Sequence, residues 1–317
     1  MLPEANRISI PASHLAAGSH LAGEVSTQPD DWARAAATAA AHRHLLPVSG
    51  ERVAVVGCGT SLFMARAFAA LRESAGQGLT DAWPASDPRL RDLAGIGRGY
   101  DRYLVICRSG TTTEVLDAVS ALPEEIPRTV ISSSPATPVL ELADPILIDE
   151  VDERSVVQTR FATTTLALLR WHLGEDLRPV IAQARAVLAD YEPDALNGVR
   201  HAEQITFVGM DFAAALADEA ALKLRESCRS WTESYLSTEY RHGPISIAGP
   251  GRAVWALGPQ PPGLADDIRA AGAHVEHRDI DPMAELVRVH LLCLLRAADL
   301  GLDPDHPRNL TRSVILG

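Results

Sequence analysis

The sequence predicts an α/β fold of two tandem doubly wound domains, each a parallel sheet flanked by helices. Three observations carry this expectation. From Arg52 onward, short β-branched runs alternate with longer amphipathic stretches, the pattern of a parallel sheet covered on both faces. The alternation occurs twice, with a linking helix around Val180 to Tyr191 and the turn Glu192-Pro193-Asp194 between the two blocks. The chain has 317 residues, 46% apolar and 22% charged, which suits two domains of ordinary globular composition.

In order, residues 1–50 read as an Ala-rich helical segment, with Gln28-Pro29-Asp30-Asp31 as a helix start and Ala35 to Ala41 as helix interior. The first domain, 51–178, reads as strand Val53 to Val56, a glycine loop and helix Leu62 to Ser74. Strand Tyr103 to Cys107, a Ser/Thr loop and helix Glu114 to Leu122 follow. Strand Thr129 to Ser132, a short helix Val139 to Leu142, strand Ile146 to Ile148 and a helix from Thr163 to Leu173 complete it. Residues 179–197 form the linking helix. The second domain, 198–317, reads as strand Ile205 to Val208, a long helix Phe212 to Cys228, strand Ala253 to Leu257 and helix Leu264 to Ala271. Strand His274 to Arg278, helix Met283 to Leu300 and a tail from Gly301 end the chain.

Charge narrows the partners. With 29 Lys plus Arg against 41 Asp plus Glu the net charge is −12, which disfavours a phosphate-backbone track, so no nucleic acid is expected. A small anion is still possible, because helix N-termini bind anions through main-chain N–H groups. The cysteines Cys58, Cys107, Cys228 and Cys293 form no CxxC pair, and a reducing cytoplasm is expected. Met1 to Arg7 lacks the basic-then-apolar order of a secretion signal, and no apolar run is long enough to span a bilayer. The chain is therefore expected to be soluble, unprocessed and away from membranes.

Four segments carry candidate chemistry. Gly57-Cys58-Gly59-Thr60-Ser61 lies between a buried strand and a helix, where two hydroxyls and free N–H groups suit an anion. A tight βα turn would look the same, and a dinucleotide fingerprint is weakened by Leu62 at its third glycine position. Cys107-Arg108-Ser109-Gly110-Thr111-Thr112-Thr113-Glu114 holds more hydroxyls than helix capping needs, which points to an oxyanion such as phosphate, with Arg108 adding charge. Both loops fall at carboxyl ends of strands, so they suggest one shared phosphate site. Ser132-Ser133-Ser134-Pro135 suits a sugar hydroxyl or a phosphate oxygen, and equally an ordinary turn. In Asp218 to Glu226, the residues Glu219, Lys223 and Glu226 stand at i, i+4 and i+7 and so share one helix face in an apolar context. Glu233-Ser234-Tyr235 and Glu239-Tyr240-Arg241-His242-Gly243-Pro244 follow. His274 and His277, three apart on a strand, point to opposite faces and do not suggest a shared metal. Cys58 reads as a small packed residue rather than an activated thiol.

Taken together, Cys58-Gly59-Thr60-Ser61, Arg108-Ser109-Gly110-Thr111-Thr112, Glu219 to Glu226 running into His242-Gly243-Pro244, and Pro307-Arg308-Asn309-Leu310 resemble the sugar isomerase (SIS) family. The resemblance is to double-SIS proteins, the isomerase half of glucosamine-6-phosphate synthase and stand-alone aminosugar-phosphate deaminases. It covers nearly the whole chain and marks both expected domains as SIS domains. It implies a phosphosugar site in which Thr60, Ser61, Ser109 and Thr112 hold the phosphate, with Gly59, Arg108, Gly110 and Thr111 in the same loops. By the same resemblance Glu226 is the base moving a proton between sugar C1 and C2, His242 assists ring opening, and Glu219 and Lys223 position and polarise the substrate. A homodimer in which His242 reaches the partner's site is also implied, with no cofactor and no metal.

Three departures qualify this. The chain begins Met1-Leu2-Pro3 without a nucleophilic cysteine, so glutamine is not expected as an ammonia source. Cys107-Arg108-Ser109-Gly110 replaces the synthase's Ser-Gln-Ser-Gly. Arg312 stands at the tail lysine position, and a guanidinium does not form a Schiff base. Aldose–ketose proton transfer needs a carboxylate base and a group stabilising the enediolate oxygen, which Glu226 and Lys223 can supply from one helix face. The expected activity is aminosugar-phosphate deamination or isomerisation. The alternative is a sugar-phosphate-sensing module that binds without turnover; retention of Glu219, Lys223, Glu226 and His242 together favours the enzyme.

Overall fold

A computed structural model describes residues 18–92 and 98–317. The reading of Met1 to Arg7, and the helical expectation for residues before 18, lie outside the described residues. The elements begin with α1 (Ser19–Ala41), β1 (Val53–Gly57), α2 (Thr60–Ser74), β2 (Thr80–Pro84), β3 (Arg102–Ile106), α3 (Thr113–Ser120), β4 (Arg128–Ser132), β5 (Asp144–Leu147) and α4 (Arg160–His172). They continue with α5 (Arg178–Ala189), α6 (Asn197–Arg200), β6 (Gln204–Gly209), α7 (Phe212–Cys228), β7 (Trp231–Leu236), β8 (Arg252–Leu257), α8 (Leu264–Ala270), β9 (His274–His277) and α9 (Pro282–Asp299). No helix among the described residues is long and apolar enough to cross a membrane.

The chain divides into two compact units. One comprises Asp31–Asp152, Arg160–Leu177 and Thr311–Gly317; the other comprises the described residues up to Asp30, Glu153–Thr159 and Arg178–Leu310. Each is built on one parallel sheet. In the first unit the strand order is β2-β1-β3-β4-β5, with Val53 opposite both Thr80 and Arg102. The β1 run Val53-Ala54-Val55-Val56 is fully buried, as a strand covered by helices on both faces must be. This order reverses direction between β1 and β3, and ligands of doubly wound sheets bind at such a switch point, outside the carboxyl ends of the strands. The second unit has the order β7-β6-β8-β9, all parallel, with Ile205 opposite Thr232 and Ala253.

The backbone repeats between the units. Gly59, preceding α2, has φ 54° and ψ −125°; Asp211, preceding α7, has φ 50° and ψ −131°. Glycine reaches this region freely, whereas a residue with a Cβ does so under strain. The same strand-to-helix turn is thus made twice, once with the residue suited to it and once without.

Three expectations need correction. Gln28-Pro29-Asp30-Asp31 does not start a helix, because α1 runs through it with Pro29 inside. Pro29 lacks the N–H that would satisfy the Val25 carbonyl, and the Gln28 side-chain amide donates to that carbonyl instead, at 3.2 Å. The strands β2 and β7 were not anticipated: both are sheet edges, and their sequences Thr-Asp-Ala-Trp-Pro and Trp-Thr-Glu-Ser-Tyr-Leu carry the polar residues that a half-solvated edge accepts. The short helix expected at Val139 to Leu142 is a 3-10 turn over Pro138–Glu141.

Candidate functional site

In the first unit, Gly57 to Ser61 leaves β1 and Cys107 to Thr113 leaves β3, so both loops stand at the switch point of the sheet. Thr60 and Ser61 are the first two residues of α2 and are buried. Thr112 precedes α3 yet makes no capping bond, which leaves its hydroxyl for other partners. Ser109 Oγ lies 3.3 Å from Thr112 Oγ1 and accepts the Thr111 N–H at 3.3 Å, so the loop curls its hydroxyls toward one another. Gly110, at φ 65°, is required here: a Cβ would stand 2.0 Å from Thr137 Oγ1.

The Ser132-Ser133-Ser134 loop is mainly structural. Ser132 donates to the Arg108 carbonyl at 3.2 Å, and Ser133 donates to Asp152 at 2.8 Å with its Oγ 3.3 Å from the same carbonyl. Arg108 itself is buried.

The final segment of the chain packs on the Ser/Thr loop. Ser313 Oγ receives hydrogen bonds from Ser109 Oγ at 3.1 Å and Thr111 Oγ1 at 3.0 Å, and lies 3.3 Å from Thr112 Oγ1. Arg108 donates to the Arg312 carbonyl at 3.2 Å, and the Arg312 guanidinium donates to Ser134 Oγ at 3.2 Å and pairs with Asp152. Ser313 was missed by sequence reasoning. The terminal run drew attention to Arg312, but nothing local marks its neighbour as a loop ligand.

In the second unit, α7 is rich in strong helix formers, Ala, Leu, Glu, Lys and Arg, and ends where Arg229 turns left-handed at φ 54°. Glu219 and Lys223 are fully buried. Lys223 Nζ lies 2.5 Å from Glu226 Oε2 and 3.5 Å from Glu219 Oε1. Burial pulls the Lys223 ammonium down, but Glu219 and Glu226, with a smaller contribution from Glu153, outweigh it and hold the lysine above its ordinary value. It therefore stays charged at neutral pH. The Glu226 side chain is 20% exposed against 1% for each of the other two, so this carboxylate alone of the three reaches solvent. It lines a cavity of about 310 Å³ with Arg229, Asp303, His306 and Arg308. A base at a cavity wall with a fixed cation at its back can take a proton from carbon and steady the charge that results.

The remaining candidates behave differently. His242 is exposed, in a 3-10 turn over Tyr240–His242, and its imidazole makes no hydrogen bond or ion pair among the described residues, with Glu226 or otherwise. Cys58 is half-buried, and burial together with Glu114 pushes its thiol up, away from thiolate reactivity. His274 contacts Glu276 at 3.4 Å while His277 contacts the Gly258 carbonyl at 3.0 Å. Among the described residues no group of three or more His, Cys, Asp or Glu could hold a metal.

No family model matches the chain. It is 26% identical over 305 residues to the glutamine–fructose-6-phosphate aminotransferase [isomerizing] of Methanothermobacter thermautotrophicus, covering 83% of this chain and 51% of that protein. It is 27% identical over 312 residues to the Campylobacter jejuni protein of the same name, again covering 83% and 51%. The chain thus spans about half the length of the curated relatives it matches. Among solved structures it shares the fold of tagatose-6-phosphate ketose/aldose isomerase from Escherichia coli (TM-score 0.77, 19% identity, 92% of this chain and 98% of that one). It also shares that of glucosamine-6-phosphate deaminase from Thermotoga maritima (TM-score 0.72, 22% identity, 94% and 100%). The similarity therefore covers 83% of the chain in sequence and 92% in fold.

Proposed function

We propose that this protein is a phosphosugar enzyme that moves a proton between C2 and C1 of an aminosugar phosphate, with deamination as the outcome. The observation that carries the reading is the Glu226 carboxylate at a cavity wall, 2.5 Å from a buried, charged Lys223. Similarity to the glutamine–fructose-6-phosphate aminotransferases supports the substrate class. The hydroxyl-rich loops at the β1/β3 switch point support phosphate binding: Thr60, Ser61, Ser109 and Thr112 hold the phosphate, and Gly59, Arg108, Gly110 and Thr111 shape the loops.

In this reading Glu226 removes the C2 proton of the open-chain aldose and the proton is delivered to C1. The C2 amine is left as an imine; water adds to it and ammonia departs, giving the ketose phosphate. Lys223 neutralises the oxygen that gains charge on enolisation, and Glu219 fixes the lysine from its other side. Because Lys223 is held as an ammonium and Arg312 is a guanidinium, neither supplies a nucleophilic amine for a protein-bound imine.

His242 serves ring opening from the neighbouring subunit of a homodimer, and the enzyme works in the cytoplasm. Mixing His242→Ala with Glu226→Gln protein should then restore activity through hybrid dimers; parents that stay inactive after verified subunit exchange would contradict the shared site. The activity itself is tested by incubating the protein with glucosamine-6-phosphate, galactosamine-6-phosphate and fructosyl-amine phosphates, and measuring ammonia or free amine and ketose phosphate. Tight binding of such a sugar with neither product nor C2 proton exchange would make the protein a sensor.

A further inference from the structure

We propose that the segment Arg312 to Leu316 is an intramolecular ligand of the Ser/Thr loop, which a phosphate group must displace; this rests on the phosphate-binding reading of that loop. A hydroxyl has one hydrogen and two acceptor lone pairs, and Ser313 Oγ has three oxygen partners, Ser109, Thr111 and Thr112. Its bonding capacity is therefore complete. Ser109 and Thr111 each donate to it, so the third contact is Ser313 donating to Thr112 Oγ1. Three hydroxyls of the Ser/Thr loop are turned onto this one oxygen, and two of them, Ser109 and Thr112, are assigned to the phosphate.

The backbone around Ser313 extends the contact. The Thr113 N–H donates to the Val314 carbonyl at 3.1 Å, the Leu316 N–H donates to Thr113 Oγ1 at 2.9 Å, and Arg108 grips the Arg312 carbonyl. The apolar side chains of the segment are held loosely: Val314, Ile315 and Leu316 are 51%, 73% and 56% exposed. Its departure exposes little hydrophobic surface, so only neutral hydrogen bonds and the Arg312 contacts resist it.

An oxyanion can replace those neutral bonds with charge-assisted ones, which are about twice as strong, so phosphate displaces the segment where an uncharged hydroxyl gains nothing over Ser313. Occupancy by the segment lowers apparent affinity by the fraction of molecules with the loop open.

The test is calorimetric titration of inorganic phosphate and of glucosamine-6-phosphate into the full chain, a chain ending at Leu310, and Ser313→Ala. Both altered proteins should bind ~10-fold or more tightly than the full chain. In the full chain, saturating phosphate should speed hydrogen exchange at the Leu316 amide. Equal or weaker binding by Ser313→Ala would overturn the proposal and make the segment part of the ligand site; because Ser313→Ala changes one side chain, this holds even if the shortened chain fails to fold. If none of the three proteins binds either ligand, the phosphate reading itself fails, and the displacement proposal fails with it.

Discussion

The ammonium of Lys223 is shared unequally between two carboxylates of its own helix, 2.5 Å from Glu226 Oε2 and 3.5 Å from Glu219 Oε1. The inequality matters because the nearer carboxylate is the one that reaches solvent. Glu219 compensates the buried cation, and Glu226 is held in place with one face open to a cavity.

That arrangement makes Lys223 indispensable to the unit it sits in. Lys223→Met should destabilise the protein by ~3–5 kcal/mol, since it removes the cation paired with the buried Glu219 carboxylate. Adding Glu219→Gln should recover a large part of the loss in denaturant titrations. A double variant as unstable as the single would show that the lysine acts through packing alone.

The phosphate loop makes a binding prediction. Ser109→Ala with Thr112→Ala should weaken glucosamine-6-phosphate binding by calorimetry, because each lost charge-assisted bond is worth ~1.5–3 kcal/mol and exceeds the neutral bond to Ser313 released with it. Unchanged affinity would move the phosphate elsewhere.

Stability should depend on pH through His290, on α9. The ring is fully buried; burial, with Lys223 nearby, pushes its pKa down to about 3, and the Gln28 amide donates to Nδ1 at 3.1 Å. The folded state therefore keeps the ring neutral while the unfolded chain protonates near its ordinary value, so between about pH 6.5 and 3 the unfolded state binds more protons. The stabilisation is complete above that window and falls by up to about 1.4 kcal/mol per pH unit within it. Glu24, pushed up to about 7 by burial and by Glu153, acts in the opposite sense: its contribution is present below about 4.5 and is lost as pH rises to 7. Denaturation midpoints against pH should show a shallower acid limb in His290→Gln and a shallower decline between pH 4.5 and 7 in Glu24→Gln. Slopes unchanged from the parent would contradict both assignments.

Asp211→Gly should stabilise the protein by about 1 kcal/mol, by relieving a backbone that Gly59 adopts freely in the other unit. A lower melting temperature would mean that the Asp211 side chain has a role outweighing the strain.

Much of this molecule was legible in its sequence. The central strands follow from short unbroken β-branched runs and α7 from a longer amphipathic stretch, and the Glu219, Lys223 and Glu226 face follows from helix geometry alone. Edge strands β2 and β7 were hidden because half-solvated strands carry no unbroken apolar run. Pro29 misled because the side-chain amide that compensates it is invisible to propensity. Ser313 was out of reach for a different reason: it meets Ser109 across 204 positions of chain, and only the folded backbone brings them together.

The most direct test of the account is C2 proton exchange of glucosamine-6-phosphate in deuterated water, followed by NMR for the parent protein and Glu226→Gln. Glutamine keeps the shape and hydrogen bonding of the side chain while removing its basicity, so binding should persist while exchange and ammonia release both slow by ~10²–10⁴-fold. Exchange as fast in Glu226→Gln as in the parent would reduce Glu226 to an ion-pair partner of Lys223 and contradict the proposed chemistry.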